Sequence, residues 1–206
     1  AICSQFGCNI PDDVAHGISA QSIMSAGICL KYLREVQRTE LSNIRSLDYY
    51  SESGFMKLDL AARRSLELTR TMRSNDKRGS LLWVLDKTKT SMGGRLIRSW
   101  LEKPLMDVAV IEERLDAVES FVNEPITREE IAETLRSVRD IERLVGKVVY
   151  GVANGRDLVA MAKTFVELPG IKEKLRGISA SLVKSIDSSI DELSDMHKLI
   201  DDAIDE

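Results

Sequence analysis

The sequence predicts a mainly α-helical protein built as a multi-helix core. Aromatic residues make up only 5% of the chain and prolines number four, while charged residues reach 30%, a composition that favours helices over sheets. Apolar residues recur at the three- and four-residue spacing that places them on one face of a helix. After Leu58, no segment alternates apolar and polar residues as a half-buried strand would.

The first sixty residues predict one helix and one short hairpin. Apolar positions that include Ile23, Leu30 and Leu33 predict a helix from about residue 20 to residue 38. Near residues 47–58, paired tyrosines and a phenylalanine flank a serine and a glycine, and this pattern predicts a short extended hairpin.

The rest of the chain predicts helices separated by short breaks. Prolines at positions 104, 125 and 169 are predicted to fall in those breaks, where they would not interrupt helical hydrogen bonds. The predicted helices span residues 60–72, 81–85, 92–102, 108–123, 128–138, 141–149, 158–168, 171–176 and 190–204.

Four helix starts carry residues that can cap a helix. A polar side chain before the first turn accepts a backbone hydrogen bond, and a carboxylate three residues later can accept one in return. The predicted pairs are Thr127 with Glu130, Asn154 with Asp157, and Ser189 with Glu192, and Asp107 is predicted to cap the helix that follows it.

The stretch "TKTSMGGRLIRSW" resembles a phosphate-binding loop but does not have its spacing. With Gly94 as the second glycine of a Walker motif, Lys89 occupies the first glycine position and Leu96 occupies the hydroxyl position. We therefore interpret Gly93 as a packing glycine that shares one apolar helix seam with Trp100 and Leu101.

The charged residues of two other segments could serve either in catalysis or in holding helices together. "RDIERLVGK" and "NGRDL" place Asp140 and Arg143 near Arg156 and Asp157, which could serve as acids and bases. No histidine or serine completes a recognisable catalytic arrangement, so the favoured interpretation is that the four residues fix helix junctions.

The basic stretch from Lys57 to Lys103 contains twelve Lys or Arg against five Asp or Glu, although the whole chain has a net charge of −4. Such a face can contact DNA phosphates weakly. Trp83 and Trp100 stand among leucines at core spacing, which argues against a stacking platform for single strands. The candidate backbone contacts are Arg63, Arg64, Arg70, Arg73, Lys77 and Arg78.

Three cysteines at positions 3, 8 and 29 are an odd number and lack paired zinc-ligand spacing. A site formed with His16 is the alternative, but free thiols in a reducing cytoplasm are the favoured interpretation. No signal sequence or apolar run of membrane-spanning length is present, so we expect a cytoplasmic protein.

Specific motifs resemble the middle region of the MutS family of DNA mismatch-recognition ATPases. They are "LDLAARRSLEL" from Leu58, "GSLLWVLDKTKTSMGGRLIRSWLEKPL" from Gly79, "DIERLVGK" from Asp140 and "NGRDLVAMAKTFVELP" from Asn154. The structural residues carried by these motifs are Leu58, Asp59, Arg63, Arg64, Asp86, Thr88, Thr90, Gly93, Arg95, Trp100, Leu101, Pro104, Asp140, Arg143, Arg156 and Asp157.

The resemblance implies that residues 1–42 are the C-terminal tail of a connector domain with its linking helix. Residues 43–206 would be the helical core or lever domain, cut before the DNA clamp. Family members use other domains to read mismatched DNA and to hydrolyse ATP with Mg²⁺. We therefore expect this chain to be no enzyme, with no cofactor or metal of its own.

The expected function is a structural and allosteric core module with connector, clamp and ATPase domains as partners, in a parent protein that dimerises and binds mismatched duplex DNA. Two alternatives are non-specific DNA binding by the basic face 57–103 and a stand-alone helical scaffold for protein interaction. A third is a cryptic nucleotide hydrolase that uses Gly93, Gly94 and Arg95.

Overall fold

The structure is a computed structural model that describes Ile2, residues 20–37, Leu41, Ile44 and residues 54–204. The chain divides into two compact units, residues 1–53 and 54–206. The predicted domain boundary between residues 42 and 43 stays a prediction.

The first unit contains helix α1, Ala20–Gln37, which matches the helix predicted from residue 20. Leu30 of this helix is buried with Ile2 and Leu41 in a small apolar cluster. The thiol of Cys29 is free and exposed. Cys3, Cys8, His16 and residues 47–53 of the predicted hairpin lie outside the described residues.

The described part of the second unit is helical, as the sequence predicts, and none of its helices is long and apolar enough to cross a membrane. Its helices are α2 Leu60–Ser65, α3 Leu81–Leu85, α4 Ser91–Glu102, α5 Val108–Asn123, α6 Pro125–Ser137, α7 Ile141–Val149, α8 Gly155–Phe165, α9 Glu167–Leu175, α10 Ser181–Ser189 and α11 Ser194–Ala203.

An antiparallel bridge joins the two ends of the segment that carries α2, α3 and α4. Phe55 lies opposite Leu105. The Met56 N–H donates to the Pro104 carbonyl at 2.8 Å, and the Met106 N–H donates to the Gly54 carbonyl at 3.0 Å. At the described end of the predicted hairpin, the extended backbone is therefore paired with a segment far along the chain.

Helix α2 ends at Ser65, so the prediction of a helix through residue 72 is wrong. Glu67 has a φ of 46°, in the left-handed region that a continuing helix cannot use. Its carboxylate accepts the Met72 N–H at 2.6 Å, and the Thr71 N–H donates to the Asp76 carbonyl at 2.9 Å. Local side-chain and turn hydrogen bonds thus replace the helical ones.

Two of the predicted caps are confirmed. Asn154 and Asp157 form a complete capping box at the start of α8, so this helix begins at Gly155 rather than at the predicted residue 158. Asp107 caps α5 through the Ala109 N–H. Because each side chain satisfies an unpaired N–H of the first turn, these starts follow from local sequence alone.

The two other predicted caps are wrong. Helix α6 begins at Pro125, whose fixed φ suits a first helical position, so Thr127 lies inside the helix. Ser189 is the last residue of α10, a helix that the sequence analysis did not predict, and its hydroxyl donates to the Ile186 carbonyl. Helix α11 then starts at Ser194, after Leu193 with a φ of 51°.

Two apolar clusters hold the second unit together. The first lies among α5, α6, α9 and α10 and is centred on Val183, which is 2% exposed, and Ile178, which is 3% exposed. The second lies between α8 and α11, where Met161 and Phe165 pack with Ile200. Burial of these side chains is the main term that stabilises the helix arrangement.

Candidate functional site at the helix junctions

Asp140 joins α4 to α7. It is the N-cap residue of α7 and accepts the Arg143 N–H at 3.4 Å. Its two carboxylate oxygens also accept hydrogen bonds from the two terminal nitrogens of Arg95, each at 2.8 Å. A bidentate pair of this kind fixes direction as well as distance, so the start of α7 is held against α4.

Two neighbours complete this junction. Arg95 also donates to Glu142 at 2.5 Å, and the Arg143 Nε lies 3.4 Å from Asp140. The hydrogen bond from Arg95 holds the pKa of the Asp140 carboxyl below its usual range. The Asp140 and Glu142 carboxylates in turn raise the pKa of the guanidinium. The bidentate geometry and these two pKa shifts favour the charged forms of Asp140 and Arg95, as in a structural ion pair.

Asp157 forms the second junction, between α7 and α8. It accepts a hydrogen bond from Lys147 Nζ at 2.7 Å and the Asn154 N–H at 3.2 Å. The hydrogen bond from Lys147 is the main reason that the pKa of Asp157 is lowered. Arg156 beside it is exposed and has no side-chain partner in the part of the chain that the structure describes. The prediction that Arg156 fixes the junction is therefore wrong.

Asp86 forms a third tie, between the loop after α2 and the segment that joins α3 to α4. One carboxylate oxygen accepts from Lys77 Nζ at 2.5 Å, and the other accepts from the Thr88 hydroxyl at 2.7 Å. These hydrogen bonds lower the pKa of Asp86, and the one from Lys77 has the largest effect. Thr90 then caps α4 by accepting the Gly93 N–H at 3.0 Å.

Gly93 lies in close contact with threonines rather than with another helix. A Cβ at this position would lie 3.1 Å from Thr90 Oγ1 and 3.3 Å from Thr88 Cβ. The close approach that was predicted for this glycine is therefore a local one within the cap of α4.

The same groups do not fit a bound nucleotide phosphate. The N–H groups of Gly93 and Gly94 donate to the hydroxyl and the carbonyl of Thr90, and the guanidinium of Arg95 is held by Asp140. A phosphate cradle requires free N–H donors and a free cation. No hydrolytic step through ATP follows from this segment.

The predicted core positions of the two tryptophans are wrong. Trp100 is 41% exposed and Trp83 is 47% exposed, and α4 contains no buried residue. The guanidinium of Arg114 lies 3.8 Å from the centroid of the Trp100 ring, a cation–π contact that ties α4 to α5. Leu101 is half-buried. The apolar seam of α4 thus lies at the surface of this unit.

The motif at Leu58 is a local structure. Asp59 caps α2 by accepting the Ala62 N–H at 2.6 Å, and Arg63 Nε donates to the Leu58 carbonyl at 3.0 Å. Arg64 is exposed. Because α2 ends at Ser65, Arg70 lies outside the helix that was predicted through residue 72, and Arg70, Arg73, Lys77 and Arg78 all lie in the loop that follows.

Sequence reasoning missed the partners that reach these residues from other parts of the chain. Lys147 and Arg114 carry no local signal of their roles, because no spacing rule relates residues on different helices. The same holds for Lys77, which lies in the loop after α2. Among the residues that the structure describes, no group of His, Cys, Asp or Glu could hold a metal ion.

Within the described residues, the second unit is a helical domain whose helices are joined by charged side chains. The chain belongs to the MutS domain III family, whose model matches residues 61–206. This match confirms the resemblance that the motifs indicate.

Curated relatives agree with the family match. The DNA mismatch repair protein MutS of Desulforamulus reducens is 46% identical over 181 residues, which cover 88% of this chain and 21% of that protein. MutS of Acetivibrio thermocellus is 46% identical over 182 residues, which cover 88% of this chain and 21% of that protein. MutS of Alkaliphilus oremlandii is 40% identical over 203 residues, which cover 98% of this chain and 23% of that protein. The chain spans about a fifth of the length of these relatives.

Proposed function

We propose that this chain is the structural and allosteric core module of a MutS-type DNA mismatch-recognition protein. It would link the DNA-clamp side of that protein to its ATPase side. The observation that carries the proposal is the double role of Asp140, which caps α7 and holds Arg95 of α4 with the same carboxylate. A displacement of α4 would therefore move the start of α7.

The tie continues to the next helix. Lys147 lies in the last turn of α7 and binds Asp157 in the first turn of α8, so α4, α7 and α8 are linked in series through two ion pairs. Contiguous polar contacts between rigid helices are a physical route for coupling distant sites, provided that the helices have two arrangements.

Exposed apolar side chains support a role inside a larger protein. Leu81, Val84 and Leu85 of α3 and Leu96 of α4 are each between 41% and 54% exposed, and α3 contacts α4. Grouped apolar surface of this kind fits packing against further protein. The connector, clamp and ATPase domains of the parent are the proposed partners. Dimerisation, mismatched duplex, ATP and Mg²⁺ belong to the parent protein in this proposal.

The test is a chimera in which residues 54–204 replace the matching segment of Desulforamulus reducens MutS. The unmodified chimera is expected to lower the mutation frequency of a strain that lacks its own MutS. The same chimera with Arg95→Met is expected to accumulate to a similar level but to lower the mutation frequency less, because the α4–α7 tie is lost.

Arg98→Met is the matched control, since Arg98 lies on the same helix and, within the described residues, pairs with Glu102 one turn away. Equal mutation frequencies for the Arg95→Met and Arg98→Met chimeras would contradict a coupling role for the junction. A chimera that folds but never lowers the mutation frequency would favour the alternative of a stand-alone interaction scaffold.

A further inference from the structure

Residues 66–80, here called the basic loop, connect α2 to α3 and are closed by hydrogen bonds within the loop and to the start of α3. At its base, the Leu81 N–H donates to the Glu67 carbonyl at 3.1 Å and the Leu82 N–H donates to the Leu68 carbonyl at 2.8 Å. Nearer its tip, the Asn75 N–H donates to the Thr71 carbonyl at 3.1 Å. The loop is therefore closed at two levels and has a fixed backbone.

Side chains brace the loop further. Ser80 is 1% exposed, and its hydroxyl donates to the Lys77 carbonyl at 2.7 Å while accepting the Trp83 N–H. Arg70 donates to the Asn75 carbonyl at 3.1 Å. Asn75 and Gly79 take the positive φ values that the turns require. The cations on this loop are consequently presented from a rigid support.

The Lys77–Asp86 ion pair holds the basic loop against the segment that follows α3. Residues 66–89 contain six Lys or Arg against three Asp or Glu. Two of the three acids already accept hydrogen bonds, Glu67 from the Met72 N–H and Asp86 from Lys77 and Thr88. Asp76 at the tip is the one exposed counter-charge in this described segment.

Four cations are left over on these two tied segments. Arg73, Arg78, Lys87 and Lys89 are exposed, and across the described ranges none of them makes an ion pair or side-chain hydrogen bond. The basic loop contains no aromatic residue on which a base could stack. Exposed cations on a loop without stacking groups match phosphates rather than bases.

We propose that the basic loop, together with Lys87 and Lys89, contacts the phosphate backbone of duplex DNA without reading its sequence. The choice of duplex DNA as the partner rests on the proposed function, because the exposed charge alone fits any row of phosphates. The contact would help to hold the parent protein on DNA irrespective of base pairing.

The experiment is fluorescence anisotropy of a matched and a mismatched short duplex with the full 206-residue chain. The salt concentration is varied between about 50 and 200 mM, where phosphate contacts change affinity most clearly. If the four cations each contact a phosphate, the logarithm of the binding constant falls against the logarithm of salt with a slope of about −3 to −4. Both duplexes are expected to give the same slope.

The test variant combines Arg73→Ser with Arg78→Ser, which removes two cations without touching the braces of the loop. The magnitude of its salt slope is expected to fall by about two, since each lost phosphate contact reduces that magnitude by about one. The control combines Arg156→Ser with Arg176→Ser, two exposed arginines elsewhere that have no side-chain partner in the described chain. This control has the same charge change and is expected to keep the slope of the unmodified chain.

Equal loss of slope in both double variants would overturn the inference, because net charge and not the loop would then drive binding. Binding to phosphatidylcholine–phosphatidylglycerol vesicles but not to duplex would also overturn it. Failure here is separable from failure of the proposed function. If the chimera restores repair but the chain shows no salt-dependent DNA binding, only the proposed loop contact is refuted. If the chain binds DNA with the expected salt dependence but Arg95→Met has no effect in the chimera, only the coupling role is refuted.

Discussion

Val183→Ala tests the first apolar cluster and, with it, the packing of α10, the helix that local sequence signals do not reveal. Val183 is 2% exposed and packs with Ala117 of α5 and Leu175 of α9. The substitution deletes two methyl groups from the point where the three helices meet and adds no polar group or new charge.

Its magnitude follows from the burial of the side chain. Two buried methyl groups correspond to about 1.6 kcal/mol of lost transfer free energy. The vacated space, about 50 Å³ if the helices do not relax, adds up to about 1.2 kcal/mol. We therefore expect Val183→Ala to lower the free energy of unfolding by about 2–3 kcal/mol.

Urea unfolding followed by circular dichroism measures this change. With a slope of about 2 kcal/mol per molar urea, the midpoint should fall by about 1–1.5 M at unchanged slope. Val122→Ala is the control, since Val122 lies on α5 but is 59% exposed, and its effect should stay within about 0.5 kcal/mol. Equal midpoints for the two variants would refute the assignment of Val183 to a packed core.

Three further substitutions test the segment around α4. Gly94→Ala should stabilise the protein by up to about 1 kcal/mol through helix propensity, because its Cβ meets only ordinary contacts at 3.5 Å or more. Gly93→Ala should gain less, since its Cβ would lie 3.1 Å from a hydroxyl, and urea midpoints compare the two. Asp86→Asn should be less stable than the unmodified chain at neutral pH. Because the pKa of Asp86 is lowered on folding, this difference should shrink as the pH falls below about 4, in urea midpoints measured against pH. A constant difference would contradict the role of the charge. Trp100→Ala should destabilise less than Phe165→Ala in the same assay, since Trp100 is 41% and Phe165 only 5% exposed, and the reverse order would contradict these burials.

Local sequence chemistry was enough to predict helix starts that depend on local hydrogen bonds. Asn154 with Asp157, and Asp107, satisfy first-turn N–H groups within a few residues, so their effect does not depend on the rest of the fold. Local sequence signals gave a wrong helix start where a nearby residue could also begin the helix. Pro125 suits the first position of a helix, so α6 begins there and the capping pattern at Thr127 is not used.

The candidate site was predictable only as a set of charged residues. Asp140 and Asp157 stand out because they precede or open helices, but their partners Arg95 and Lys147 reach them across space. Trp100 shows the opposite limit. Its spacing with Leu101 describes an apolar helix face, yet spacing cannot tell whether that face is covered by this unit or left at its surface.

The bridge between Phe55 and Leu105 has a consequence for the order in which the second unit folds. It closes a loop of about fifty residues, and the loss of chain entropy on closure is about 3–4 kcal/mol. The apolar contacts among α5, α6, α9 and α10 also close long loops, but burial of Val183 and its neighbours offsets that cost, whereas neither Phe55 nor Leu105 is buried. We therefore expect these helices to assemble first. In hydrogen exchange, the amides of Met56 and Met106, which seal the bridge, should then lose protection earlier than the amide of Val183 as denaturant is raised.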